Sequence, residues 1–194
     1  MKILLHICCA PCALYPQQVL SAAGMGVHGY FYNPNIQPYQ EFERRLKALE
    51  DYAMSSHLPL IVDRRYDLEE FLRLMVFREH QRCRICYHLR LKGTAHIARH
   101  GKFDAFTTTL LYSKQQQHEL IREIGEQVGQ ELGVPFYYQD FRPGWKQGIE
   151  ESKRLGLYRQ SYCGCIYSER DRYYHPERIV SRRDAKSQRC HEEK

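Results

Sequence analysis

A chain of 194 residues suffices for one α/β domain with a full core, or for two small ones. Its apolar fraction of 43% is that of a globular protein, and no apolar run nears the roughly 20 residues of a bilayer-spanning helix, which excludes a membrane protein of that type. The net charge of +6 biases the chain moderately toward polyanionic partners.

Residues 2–8, KILLHIC, read as a first buried strand, and PQQVLSAAGM as a helix ending near Gly24 or Gly26. A second strand, VHGYFYN, runs into the turn-rich NPNIQP. A long helix is expected from about Tyr39 to His57, then LPLIVD as a third strand. Asp67 is placed to cap the helix DLEEFLRLMVF, because its side chain can accept from free helix N–H groups. CRICYHLRLKGTAHIARHG reads as a helix closed by Gly101, FDAFTTTL as a fourth strand, SKQQQHELIREIGEQVGQELG as a long helix and VPFYYQD as a fifth strand. From Trp145 to about Tyr174 the chain is mostly helical, with a break at YCGC. The segment SRRDAKSQRCHEEK carries part of the excess positive charge and reads as a solvated end.

Strands separated by helices of this length require right-handed crossovers and a parallel sheet covered on both faces. The expected architecture is a doubly wound, Rossmann- or HUP-like α/β sheet of about five strands with a helical C-terminal part. A single domain would span 1–180, and 181–194 would form a flexible basic tail. In such sheets ligands bind beyond the carboxyl ends of the strands. Cys8, Cys9, Asn33, Asn35, Thr107, Thr108, Thr109 and Asp140 fall at those ends. The N-terminus offers one lysine and three apolar residues before His6, too little for a signal-peptide core, so a cytoplasmic location is expected.

Eight cysteines in a reducing compartment point to metal binding or redox chemistry rather than structural disulfides. They form four groups: Cys8-Cys9-x-x-Cys12, Cys83-x-x-Cys86, Cys163-x-Cys165 and the lone Cys190. Cys190 reads as packing or as part of a disordered end. Two C-x-x-C pairs would close one tetrahedral zinc site, and the surplus thiols equally suit iron–sulfur chemistry. Consecutive side chains on extended backbone point to opposite sides, so Cys8 and Cys9 are expected to serve two neighbouring centres. Cys163-Gly164-Cys165 would either ligate a metal or close a small strained disulfide of high reduction potential. A thioredoxin-like reading of C-A-P-C leaves Cys8, Cys83, Cys86 and the C-G-C pair without a role.

HICCAPC, YNPNI, CRICY, TTTLLYSK, DFRPGW and LYRQSYCGCIYS, in this order and spacing, resemble the QueH-type epoxyqueuosine reductases over about Lys2 to Ser168. The resemblance implies reduction of the epoxide of epoxyqueuosine to queuosine at the wobble position of tRNAs for Tyr, His, Asn and Asp, with electrons from an external donor. It implies a [4Fe-4S] cluster associated with Cys8, Cys9, Cys83 and Cys86, and a second mononuclear iron or redox-active pair at Cys163 and Cys165. Cys12 occupies a position where the family can carry Asp, another anionic ligand. By motif position Tyr32, Asp140, Tyr158 and Tyr162 are candidate proton donors. His6 is a candidate donor to a thiolate from beneath the site.

A tRNA partner asks for basic and aromatic surface. Arg44, Arg45, Arg142, Lys146 and Arg159 are the candidate phosphate contacts. A rival reading, an ATP-dependent tRNA-thiolating enzyme, needs a glycine-rich loop after the first strand; CCAPCALY has none, so no ATP is expected. The other rival is a non-enzymatic zinc-binding RNA module using the same thiols only to hold shape.

Overall fold

The computed structural model describes residues 1–176; Cys190 and the expected basic tail at 181–194 lie outside the described residues. Two compact units divide the chain, residues 1–159 and residues 160 onward.

The first unit is built on β1 (Lys2–His6), β2 (Gly26–Phe31), β3 (Leu60–Val62) and β4 (Ala105–Thr108), all parallel, in the order β3-β2-β1-β4. Strand β1 is central, and Ile3, Leu4 and Leu5 are fully buried, as expected for a strand covered on both faces. Its connections run through α1 (Ala10–Ala22), α2 (Tyr39–Ser55), α3 (Leu68–Met75) and α4 (Arg82–His100), followed by α5 (His118–Leu132) and α6 (Trp145–Arg154). Helix α1 packs with α2 and α6, and α4 with α5, giving one helical layer on each face.

Helical periodicity explains these layers. In α2, Phe42, Leu46, Leu49 and Ala53 recur at i, i+4, i+7 and i+11 and are buried. In α5, Ile121, Ile124, Val128 and Leu132 recur at i, i+3, i+7 and i+11 and are buried, and Gly133 ends the helix in the left-handed conformation at φ 67°.

Three expectations change. The sheet has four strands, because VPFYYQD pairs with β4 through one bridge only, Phe106 opposite Phe136. Its two hydrogen bonds are Phe106 N to the Pro135 carbonyl at 3.0 Å and Tyr137 N to the Phe106 carbonyl at 2.8 Å. β4 then turns at Thr109 into a short 3-10 helix, so no further ladder forms. Helix α1 begins at Ala10 rather than near Pro16, with Pro11 in its first turn, where a missing N–H costs nothing. Asp67 precedes α3 but makes no side-chain capping bond.

The second unit contains α7 (Ile166–Tyr173), opened by Cys165, whose sulfur accepts from Ser168 N at 3.4 Å.

Candidate metal centre

From β1 the chain moves outward to β2 and β3, then crosses back to place β4 on the other flank of β1. The carboxyl ends of β1 and β4 therefore border the point where the winding reverses, the ligand crevice of such sheets. Cys8 and Cys9 follow β1 there, and Thr109 follows β4. The Thr109 hydroxyl accepts from Cys8 N at 3.2 Å and donates to Cys8 Sγ at 3.4 Å.

The sulfurs of Cys8, Cys9 and Cys12 lie within 4.8 Å of one another, and all three residues are buried. This corrects the expected opposition of Cys8 and Cys9, whose sulfurs are 3.8 Å apart. The chain bends at Cys8 and enters α1 through Cys9 as its N-cap, so strand alternation no longer applies. Cys12, one helical turn on, completes the triad.

The donor set suits a cation. Thiol hydrogen bonds from Cys12 and Cys9, then the Arg90 charge and Thr109, hold Cys8 well below the ordinary thiol range. Burial pushes Cys9 up, and the hydrogen bonds to Cys8 and Cys9 push Cys12 up. Three buried sulfurs this close cannot all ionise without a positive charge among them. Two thiolates on one tetrahedral ion with bonds of about 2.3 Å sit about 3.8 Å apart, the spacing of Cys8 and Cys9.

Cys83 and Cys86 stand in the first two turns of α4. Cys86 is linked to the sheet edge by Arg90, which is 1% exposed. The guanidinium donates to Cys86 Sγ at 3.7 Å, to the Asn33 carboxamide oxygen at 2.8 Å and toward His6 Nε2 at 3.4 Å. Asn33 in turn donates to the Ile7 carbonyl at 2.9 Å, next to Cys8. His6 is fully buried, with its ring nitrogens 2.8 Å from Thr108 Oγ1 and 3.1 Å from the Tyr32 carbonyl oxygen. It meets those groups, not a thiolate, and burial followed by the Arg90 charge lowers its pKa to about 3. It is neutral.

The remaining sequence candidates have other surroundings. Arg45 is 1% exposed and donates to Glu41 at 2.7 Å, so it is no phosphate contact at a free surface. The same Glu41 accepts the Tyr158 hydroxyl at 2.5 Å. Asp140 receives two side-chain hydrogen bonds from Arg142, at 2.9 and 2.7 Å, and lies 3.5 Å from His118. Arg142 holds the Asp140 carboxyl below the usual carboxylate range, so it has no proton to donate near neutrality. The Tyr32 ring stacks on Tyr30 with centroids 6.0 Å apart, and burial raises its pKa. Arg44, Lys146 and Arg159 are exposed. In the second unit Cys163 is exposed, Cys165 and Tyr162 are half-buried, and Gly164 takes φ 141°, a region that favours glycine.

Sequence reasoning missed Arg90, Glu41 and Tyr112. The first two are marked only by helical i, i+4 partners, Cys86 for Arg90 and Arg45 for Glu41. Tyr112 is buried, donates to the Trp145 carbonyl at 3.2 Å, and has its pKa raised by burial and then by Cys12 and Cys9. Asn35 is 1% exposed, and neither its Oδ1 nor its Nδ2 meets a partner among the described residues.

Fold and site together define a doubly wound α/β protein with a thiol cluster at its switch point able to hold a metal. The family described as Epoxyqueuosine reductase QueH matches residues 3–171. The epoxyqueuosine reductase QueH of Dehalococcoides mccartyi is 37% identical over 175 residues, covering 90% of this chain and 96% of that relative. That of Thermotoga maritima is 36% identical over 177 residues, covering 86% and 89%. That of Histophilus somni is 33% identical over 181 residues, covering 88% and 73%. The chain belongs to the epoxyqueuosine reductase QueH family.

Proposed function

We propose that the chain performs the reaction its relatives are named for. It removes the epoxide oxygen of epoxyqueuosine, at the wobble position of tRNAs reading Tyr, His, Asn and Asp codons, to give queuosine. The epoxide takes up two electrons and two protons, both C–O bonds break, and the products are an alkene and water. The observation that carries this reading is the triad of Cys8, Cys9 and Cys12 within 4.8 Å at the switch point of the sheet.

On motif match the group held is a [4Fe-4S] cluster drawing on Cys8, Cys9, Cys83 and Cys86, with Cys12 as a further anionic ligand; of these thiols Cys8, Cys9 and Cys12 lie within 4.8 Å of one another. A second mononuclear iron or a redox-active pair is placed at Cys163 and Cys165 on motif match. When bound, the iron supplies electrons and a Lewis-acidic position for the epoxide oxygen. The chain's own residues do the rest. Arg90 keeps Cys86 oriented and places positive charge beside anionic sulfur, as groups behind metal ligands do. Thr109 fixes Cys8. Tyr162 is the proton donor in this reading, while Asp140, already ionised, acts by holding Arg142 and His118. Electrons come from an external donor. No ATP is required, since no phosphate-cradling loop follows β1, and no helix among the described residues is long and apolar enough to cross a membrane.

Anaerobic purification followed by iron, sulfide and zinc analysis tests the cofactor. The reading predicts a brown protein with iron and acid-labile sulfide. A colourless protein carrying only zinc would overturn it in favour of the structural zinc module.

A further inference from the structure

Phe77 is the most exposed large apolar residue of the described chain, at 91%, beside Val76 at 43%. Its backbone is left-handed, with φ 63°. For a bulky L-residue this crowds Cβ against the carbonyl oxygen and is disfavoured. The turn is nevertheless held on both sides. Phe77 N donates to the Glu79 carboxylate at 3.2 Å, Arg78 N to the Met75 carbonyl at 2.9 Å, and Gln81 N to the Arg78 carbonyl at 2.8 Å. A glycine would take this conformation without strain; an aromatic ring is kept there and shown to solvent. Backbone strain of this kind concentrates where a side chain has a task.

The location gives the task. Helix α4 runs back to the amino end of β4, so its own N-terminus lies at the carboxyl edge of the sheet, the edge of the thiol triad. The Phe77 turn is separated from α4 by Arg78 and one 3-10 turn, Glu79–Gln81, and the first two turns of α4 carry Cys83 and Cys86. From Arg73 to Arg84 the sequence holds four arginines and His80 against one glutamate, Glu79, whose carboxylate is engaged by Phe77 N. An aromatic face displayed among cations matches RNA chemistry: phosphates meet guanidinium groups and an unpaired base stacks on the ring.

We propose that Phe77 is a preorganised stacking platform for an unpaired anticodon-loop base next to the wobble nucleotide, with Arg73 and Arg78 at the flanking phosphates. The assignment rests on the tRNA reading above and names a contact that reading leaves open. Because the ring contacts solvent, its removal separates binding from folding.

The test compares the anaerobically prepared, iron-loaded protein with Phe77→Gly and Phe77→Trp, titrated into a fluorescent anticodon stem-loop RNA carrying epoxyqueuosine at the wobble position. Thermal unfolding is followed in parallel. Phe77→Gly is expected to weaken RNA binding about tenfold or more while raising the melting temperature, because the strain is relieved. Phe77→Trp is expected to bind within about threefold of wild type, since base–aromatic stacking tolerates the exchange. Equal binding by wild type and Phe77→Gly overturns the proposal and leaves the reductase reading intact, the ring then serving a protein partner or none. Phe77→Trp binding as weakly as Phe77→Gly also overturns it. Wild-type protein that fails to bind the stem-loop overturns the tRNA reading, and this proposal with it.

Discussion

Glu41 is 3% exposed, yet it carries a charge, shared between Arg45 at 2.7 Å and the Tyr158 hydroxyl at 2.5 Å. Removing one member of such a group leaves a desolvated charge behind. Glu41→Gln is therefore expected to destabilise the protein by roughly 3 kcal/mol, read from urea denaturation. Arg44→Gln, on an exposed side chain 4.0 Å from the same carboxylate, is expected to cost less than about 0.5 kcal/mol. Cys12 allows a second test at this scale. Cys12→Ala should lower iron bound per chain after anaerobic reconstitution, and Cys12→Asp should retain more than Cys12→Ala, because a carboxylate still supplies an anionic ligand. These roles differ in how far a sequence displays them. The thiols are visible because clustered C-x-x-C spacing has few uses besides metal binding and redox chemistry. Arg45 reads as a surface cation because nothing in a single sequence says which arginine tertiary packing will bury.

At the scale of elements, helix α1 does most to build the site. It starts at Ala10, directly on the bend after β1, so Cys9 and Cys12 occupy its N-cap and first turn. There the positive end of the helix dipole favours anionic sulfur. Helix α6 packs on α1 from outside, and its Gly148 lies against Tyr112, whose hydroxyl occupies the space a Cβ would fill. Gly148→Ala is expected to cost about 1–3 kcal/mol in thermal or chemical unfolding by forcing that ring aside. The strands and helices of the first unit are readable from apolar runs and helical spacing. The missing fifth strand is not, because VPFYYQD is apolar enough for a strand and its fate is decided by where β4 stops. The opposition expected of Cys8 and Cys9 fails for a similar reason: strand geometry holds only while the strand continues, and the bend that ends it follows from the Pro11 helix start.

The whole molecule joins a thiol-bearing switch point, a basic turn with a displayed aromatic ring, and a second unit carrying Cys163 and Cys165. If that pair is the second redox centre, the double variant Cys163→Ser, Cys165→Ser should lose turnover while keeping the iron bound by the first unit; full turnover would remove the pair from the mechanism. The most direct test of the account is the mass of the modified nucleoside after anaerobic incubation of iron-loaded protein with epoxyqueuosine-containing tRNA and a chemical reductant. Loss of one oxygen atom from the base, abolished by Cys8→Ala, is the predicted result. An unchanged nucleoside in the presence of a fully loaded iron centre would contradict it.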